Sequence, residues 1–186
     1  MSAQTKAYWN ALLLTGYVPT QADFVDLVDS WQDTGTNTDW QDGGAIGLTA
    51  TGGGAAKGTT SRDKVFWRRR GDSMEARFEY RQTVGGTDGT GKYLFEVPDA
   101  QQVDTAKIET ESATASVGRC GAGYGVAYIA AAQGTIGVGV HDATHLFLYA
   151  PNLGGGPVPG VGFFPLSNAA LGFYFTVSIP IVGWTA

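Results

Sequence analysis

Residues 74–81 read Met-Glu-Ala-Arg-Phe-Glu-Tyr-Arg, and this stretch decides the fold class. Apolar side chains stand at every even position and charged side chains at every odd position. A period of two places successive side chains on opposite faces of a strand. The stretch therefore predicts a half-buried β-strand, with a mixed-charge outer face on which ion pairs to a neighbouring strand can form.

Short strands are predicted on both sides of this one. Residues 65–69 precede it, and Arg70-Gly71-Asp72 between the two is typical of a solvated hairpin turn, because glycine and aspartate are common turn residues. Further strands are predicted at residues 93–97, 117–120, 126–131, 135–140, 145–150 and 171–182. This spacing predicts a mainly β protein, with an antiparallel β-sandwich of the jelly-roll type over residues 62–186.

A short helical hairpin is predicted in the N-terminal segment, residues 1–32. The segment Gly16-Tyr17-Val18-Pro19 ends one amphipathic helix and opens the next. Helices this short are marginal in water, so an apolar stripe on them must dock, either on its own domain or on another chain. The second helix carries such a stripe at i, i+3, i+4 and i+7 spacing, our candidate attachment and oligomer interface: Phe24, Leu27, Val28 and Trp31.

The stretch that follows, residues 33–61, is predicted to be a linker or loop. It is rich in Gly, Thr, Ala and Asp and centres on Gly52-Gly53-Gly54. Trp40 and Leu48 are its candidate anchors on the β domain.

The overall composition excludes several classes of partner. A net charge of −5 argues against a dominant nucleic-acid groove. No apolar stretch reaches the roughly 18 residues that a membrane span needs. The single cysteine, Cys120, excludes an internal disulfide framework. We therefore expect neither nucleic acid nor a membrane as a partner.

Charge is distributed very unevenly along the chain. Between Ser112 and Ala186 only Arg119 and Asp142 carry a formal charge. A monomer that exposed this half to water would be prone to association. We therefore expect much of this half to lie between identical subunits, since obligate interfaces are apolar.

Few residues suggest catalytic or metal chemistry. His141, Asp142 and His145 have a spacing that could contribute metal ligands. The same stretch is also typical of a turn between two strands, which is the interpretation we favour. Because no nucleophile–base pair, ligand set or phosphate loop is evident, we expect a non-enzymatic protein without a metal or cofactor.

Five short segments of the β region occur in a recognisable order: residues 67–75 (WRRRGDSME), 93–98 (YLFEVP), 104–108 (DTAKI), 140–146 (VHDATHL) and 179–184 (IPIVGW). In this order they resemble a C-terminal domain that recurs in tail fibre and structural proteins of tailed-bacteriophage virions. Within the fourth segment, His141 departs from the tyrosine expected at that position. The N-terminal helical segment is also similar to that of such proteins.

The resemblance implies a β-sandwich displayed on a virion, usually as a trimer, and attached by its N-terminal part. It implies no catalytic residue. The expected function is therefore that of a short tail or head fibre protein, located in the virion after synthesis in the host cytoplasm. Two alternatives stay open: a capsid decoration protein, and a carbohydrate-binding β domain in which exposed aromatic residues such as Trp40 or Tyr124 stack on a host glycan.

Overall fold

The computed structural model describes residues 37–110, 121–129, 132–149 and 165–185, together with Thr20. Within these ranges nine strands form one antiparallel sheet, and the only helical element is a single 3₁₀ turn at Pro98–Ala100. The strands are β1 (Gln41–Asp42), β2 (Leu48–Ala50), β3 (Thr60–Arg70), β4 (Ser73–Gln82), β5 (Tyr93–Glu96), β6 (Gly121–Ile129), β7 (Ala132–Val140), β8 (His145–Tyr149) and β9 (Leu171–Pro180). The prediction of a mainly β, antiparallel fold is confirmed.

The strands are not arranged in sequence order. Across the sheet the order is β1-β3-β4-β9-β6-β7-β8-β5-β2. The consecutive strands β6, β7 and β8 lie side by side, and β9 returns to pair with β6 on their far side. This is the strand order of a Greek key. It places the very apolar β9 in the middle of the sheet, as its sequence predicts.

The sheet curls until its two edge strands approach each other. β1 and β2 stand at opposite ends of the strand order, yet only residues 43–47 join them. Backbone hydrogen bonds link Gly43 and Gly44 to Val65 of β3, and Glu96 of β5 donates to the carbonyl of Gly47. A connection this short keeps the two edges within about 20 Å of each other.

A buried residue and an ion pair hold this closing segment in place. Ile46 is 2% exposed. Its backbone N–H donates to Asp63 Oδ1 at 2.9 Å, and its carbonyl accepts from Lys57 Nζ at 2.7 Å. Lys57 and Asp63 also pair with each other. Both backbone groups of Ile46 are thus satisfied by the ion pair of Lys57 and Asp63, which lies on a neighbouring segment of the same chain.

Aromatic rings from three strands fill the interior. Phe78 of β4 stacks on Phe175 of β9 with ring centroids 4.4 Å apart. Phe95 of β5, on the other side of the curled sheet, meets Phe173 and Phe175 edge-on at 5.3 Å. These contacts are the favoured geometries for aromatic pairs. Because β5 and β9 share no hydrogen bonds, the contacts of Phe95 hold the two sides of the curled sheet together.

Several local predictions can be compared with this structure. The Arg70-Gly71-Asp72 turn is confirmed, with Gly71 at φ 64° between β3 and β4. β6 begins at Gly121 rather than at Val126, because glycines that resemble a loop are required for close strand approach. A Cβ atom at Gly123 would collide with the carbonyl of Thr176 on β9.

Two further predictions fall outside the described residues. They are the helical hairpin in residues 1–32, apart from Thr20, and the strand at residues 117–120. The described part of the 33–61 stretch is loop that contributes β1, β2 and the first two residues of β3 to the sheet. Leu48 lies partly buried against the core, whereas Trp40 is 41% exposed.

Candidate functional site

The face of the sheet opposite to the core, here called the outer face, has two regions of different chemistry. Because directly paired residues lie on the same face, the strand registers define both regions. The charged region is the outer face of β3 and β4, where the side chains are Arg62, Lys64, Phe66, Arg68, Arg70, Glu75, Arg77, Glu79 and Arg81. The charge-free region is the outer face of β9, β6 and β7, strands whose sequences contain no Asp, Glu, Lys or Arg.

Cross-strand ion pairs connect the charged region internally. The carboxylate of Glu75 forms ion pairs with Arg68 and Arg70, with N–O distances of 2.6 Å and 2.9 Å. The carboxylate of Glu79 forms an ion pair with Arg62 at an N–O distance of 2.6 Å. Burial alone would raise the pKa of Glu75, but hydrogen bonds from the two arginines outweigh it and hold the pKa below its usual value. The Glu75 carboxylate is therefore ionised, and both Glu75 and Glu79 are occupied by the protein's own cations.

The charge-free region leaves large apolar side chains in solvent. Tyr124 and Val126 of β6 are 73% and 48% exposed, and Tyr174 of β9 is 40% exposed. Val126 and Tyr174 are direct partners in the register, and Tyr124 stands one outward position further along β6. The three side chains form one continuous patch on adjacent strands.

A groove of about 400 Å³ lies where the two regions meet. Trp40 borders it on the side of the charged region, and Tyr124 and Tyr174 border it on the other. Its polar lining comprises Glu75, Arg77, Thr176 and Ser178. The groove therefore combines aromatic walls with charged and hydroxyl groups, the composition expected of a ligand site.

Two arginines hold the indole ring of Trp40. The guanidinium carbon of Arg68 lies 4.7 Å from the ring centroid, and that of Arg77 lies 5.1 Å away. Arginine over an aromatic face is an attractive cation–π contact. Arg77 Nε makes no hydrogen bond of good geometry among the described residues, although Glu79 Oε1 lies 3.2 Å from it as an ion-pair partner. Trp40 is thus oriented by charge rather than by burial in the core.

The side chains of His141, Asp142 and His145, the alternative metal site considered from the sequence, do not point to a common centre. Asp142 and His145 pair with each other, with Nδ1 of the imidazole 3.1 Å from Oδ1 of the carboxylate. The ring of His141 instead lies edge-on to Phe147 at 6.5 Å. Among the described residues no group of three His, Cys, Asp or Glu side chains could hold a metal ion.

Asp142 has a clear structural role in the turn between β7 and β8. Its Oδ1 atom accepts from the backbone N–H of Thr144 at 2.7 Å and from the hydroxyl at 2.9 Å. Burial by itself would raise the pKa of Asp142, but these bonds and His145 outweigh it and lower the pKa. The carboxylate is held by its own turn, which is the interpretation favoured from the sequence.

Sequence reasoning identified only part of the groove. Trp40 and Tyr124 are the aromatic residues that the sequence analysis names as candidates to stack on a glycan, and both are exposed. Tyr174 was missed, although the alternation of Phe173, Tyr174 and Phe175 predicts that it points away from the core. The apolar stripe of Phe24, Leu27, Val28 and Trp31 lies outside the described residues.

Comparisons with protein-family models, with curated proteins and with solved structures gave no match. In the part of the chain that the structure describes, no helix is long and apolar enough to cross a membrane.

Proposed function

We propose that this chain is a non-enzymatic structural protein of a bacteriophage virion, a short tail or head fibre displayed as a homotrimer. The observation that carries the proposal is the charge-free region, where Val126 is 48% exposed in a single chain. An exposed apolar patch on strands that carry no charge favours burial against another subunit. The phage assignment and the threefold order rest on the resemblance of the β region.

The strand order supports the finer architecture that the resemblance implies. The Greek key of β9, β6, β7 and β8 is the connection found in most β-sandwiches, and jelly rolls contain two of them. We therefore propose that the two sides of the curled sheet act as the layers of a jelly-roll-like sandwich, with residues 1–32 as a separate attachment segment.

We place the subunit contact around Val126 of β6 and Thr135 of β7, which are direct partners in the register. We propose that the contact extends from Val126 towards β7, away from β4 and Trp40, so that the groove lies at its edge and not within it. Mass photometry should give three times 19.5 kDa. Val126→Arg should shift the mass towards the monomer, because it introduces a charge into an apolar contact. Val84→Arg, at an exposed valine outside the charge-free region, is the matched control.

Attachment to the particle is tested separately from the trimer. Replacing Leu27 and Trp31 by Asp should leave the β domain folded and abolish incorporation into particles, because the stripe would no longer dock. Normal incorporation of this variant would assign the stripe to local packing. Gold labelling of the protein on purified particles would distinguish a tail position, a head position and the uniform shell coverage of a decoration protein.

A carbohydrate-binding role is the second candidate function, and the groove favours it. Glycoside hydrolysis needs two positioned carboxyl groups. Among the described groove residues Glu75 is the one carboxylate, and Arg68 and Arg70 already occupy it. This lining supports binding of a sugar without its cleavage.

A further inference from the structure

We propose that the groove between Trp40, Tyr124 and Tyr174 binds an acidic oligosaccharide. The inference deepens the proposed function, because it names the ligand that such a displayed protein would recognise. It stands on three observations: the placement of the aromatic rings, the polar groups between them, and the sign of the charge on the adjoining region.

The aromatic rings are exposed on a rigid support. Trp40 is 41% exposed, Tyr124 73% and Tyr174 40%. Both tyrosines project from central strands of the sheet, so their backbones are fixed on both sides by neighbouring strands. A pyranose ring has an apolar C–H face that packs against aromatic rings, while its hydroxyls remain available for hydrogen bonds. Tyrosine suits such a ligand, since it combines an apolar body with a polar tip.

Polar side chains line the floor at positions where sugar hydroxyls can meet them. Thr176 and Ser178 present hydroxyls from β9, and Arg77 presents a guanidinium from β4. Arg77 and Thr176 are direct partners in the register, and Thr176 in turn is paired with Tyr124. One row across three strands therefore offers a cation, a hydroxyl and an aromatic ring in succession.

The charge of the neighbouring region favours an acidic sugar. Its cations outnumber its carboxylates, even though the whole chain has a net charge of −5. Local positive charge of this kind attracts anionic ligands and makes binding depend on salt. The cations are Arg62, Lys64, Arg68, Arg70, Arg77 and Arg81, and the carboxylates that face them are Asp42, Glu75 and Glu79.

The test uses the full chain on an array of uronic-acid oligosaccharides with neutral oligosaccharides of equal length as controls. We expect binding to the acidic members, weaker at 0.5 M than at about 0.05 M salt, because screening shortens the range of the charges. Tyr124→Ala should weaken binding about tenfold, and Tyr124→Phe should retain most of it, because the ring is kept. Val84→Ala, at an exposed valine off this face, should leave binding unchanged.

The charge contribution has its own variant. Arg81→Gln should weaken binding about threefold and reduce its salt dependence, with no effect on the melting temperature. If no acidic oligosaccharide binds, or if Tyr124→Ala binds like the parent, the inference is wrong. A change of oligomer mass in Tyr124→Ala would overturn it as well, because the face would then be a subunit contact.

Failure of this inference and failure of the proposed function are distinguishable. Gold labelling that finds the protein on particles, together with a negative array, would leave the virion role intact and remove the sugar site. Binding on the array, with the protein absent from particles, would support the sugar site and contradict the virion role.

Discussion

The charged region and the charge-free region belong to one sheet and share one core, yet they meet solvent in opposite ways. In the charged region each outward carboxylate of β4 pairs with arginines, as Glu75 does with Arg68 and Arg70. In the charge-free region Tyr124 and Tyr174 project into solvent. In the register of β6 and β9, Tyr124 is paired with Thr176 and Tyr174 with Val126, so neither tyrosine has a charged partner on the neighbouring strand.

The difference shows which side chains remain available for contacts with a ligand. Side chains that already satisfy one another gain little from a ligand, because each new contact must replace an existing one. Exposed rings and hydroxyls gain their contacts outright. The boundary between the regions combines both properties, since Trp40 is held by the arginines of one region and faces the tyrosines of the other.

The largest effect should come from breaking the core that both regions share. Phe175→Ala on β9 should lower the free energy of unfolding by about 3–5 kcal/mol, because the ring is fully buried against Phe78 and Phe95. Its neighbour Tyr174 points outward, and Tyr174→Ala should change stability by less than about 0.5 kcal/mol. Urea unfolding of both variants measures the contrast, and similar losses would contradict the assignment of the two faces.

A smaller effect is expected at the buried amide that ties the end of β4 to the segment before β9. Gln82 is 2% exposed, accepts from the hydroxyl of Tyr80, and donates to the carbonyls of Leu166 and Asn168. Gln82→Ala should cost about 2–3 kcal/mol, because buried polar groups lose their partner. Thermal melts would measure it. Thr83→Ala, exposed at the next position, is the control, and an equal loss there would show that the network contributes nothing.

Local features of the fold could be predicted from the sequence because they depend on neighbours along the chain. The hairpin of β3 and β4 follows from strict alternation and a Gly-Asp turn, and the central place of β9 follows from its apolar run. β6 was predicted to begin five residues too late, because Gly123 and Gly125 lower strand propensity. Only the paired backbone of β9 shows that glycine is required there.

The closing of the sheet and the groove could not be predicted, because both depend on contacts between distant segments. Residues 43–47 join the two edges only because β3 and β5 come close in space. Trp40, Tyr124 and Tyr174 become neighbours only through the four registers that join β1, β3, β4, β9 and β6. Strand register is a non-local property, and a shift by one residue would turn every outer side chain inward.

The charged region should respond to acid, whereas the charge-free region contains nothing that titrates there. The pKa of Glu75 is lower in the folded chain than its ordinary value of 4.5. The stabilisation it provides is therefore present above that value and is lost as the pH falls through the lowered pKa. We expect a loss of about 0.5 kcal/mol or less, because the pair is partly exposed. Glu75→Gln should flatten the stability profile below pH 4.5, and an unchanged profile would contradict the role of the pair.

The smallest expected effect is that of removing metal ions, and it concerns the charged turn beside the charge-free region. Asp142 is bound by Thr144 and His145, while His141 packs against Phe147, so the three side chains have no common point at which to hold a cation. EDTA should therefore leave the melting temperature unchanged. Asp142→Asn should cost less than about 1 kcal/mol, since the amide oxygen can still accept from Thr144. A metal found at near-stoichiometric occupancy, and lost in His145→Ala, would overturn this prediction and show that a metal ion stabilises the turn.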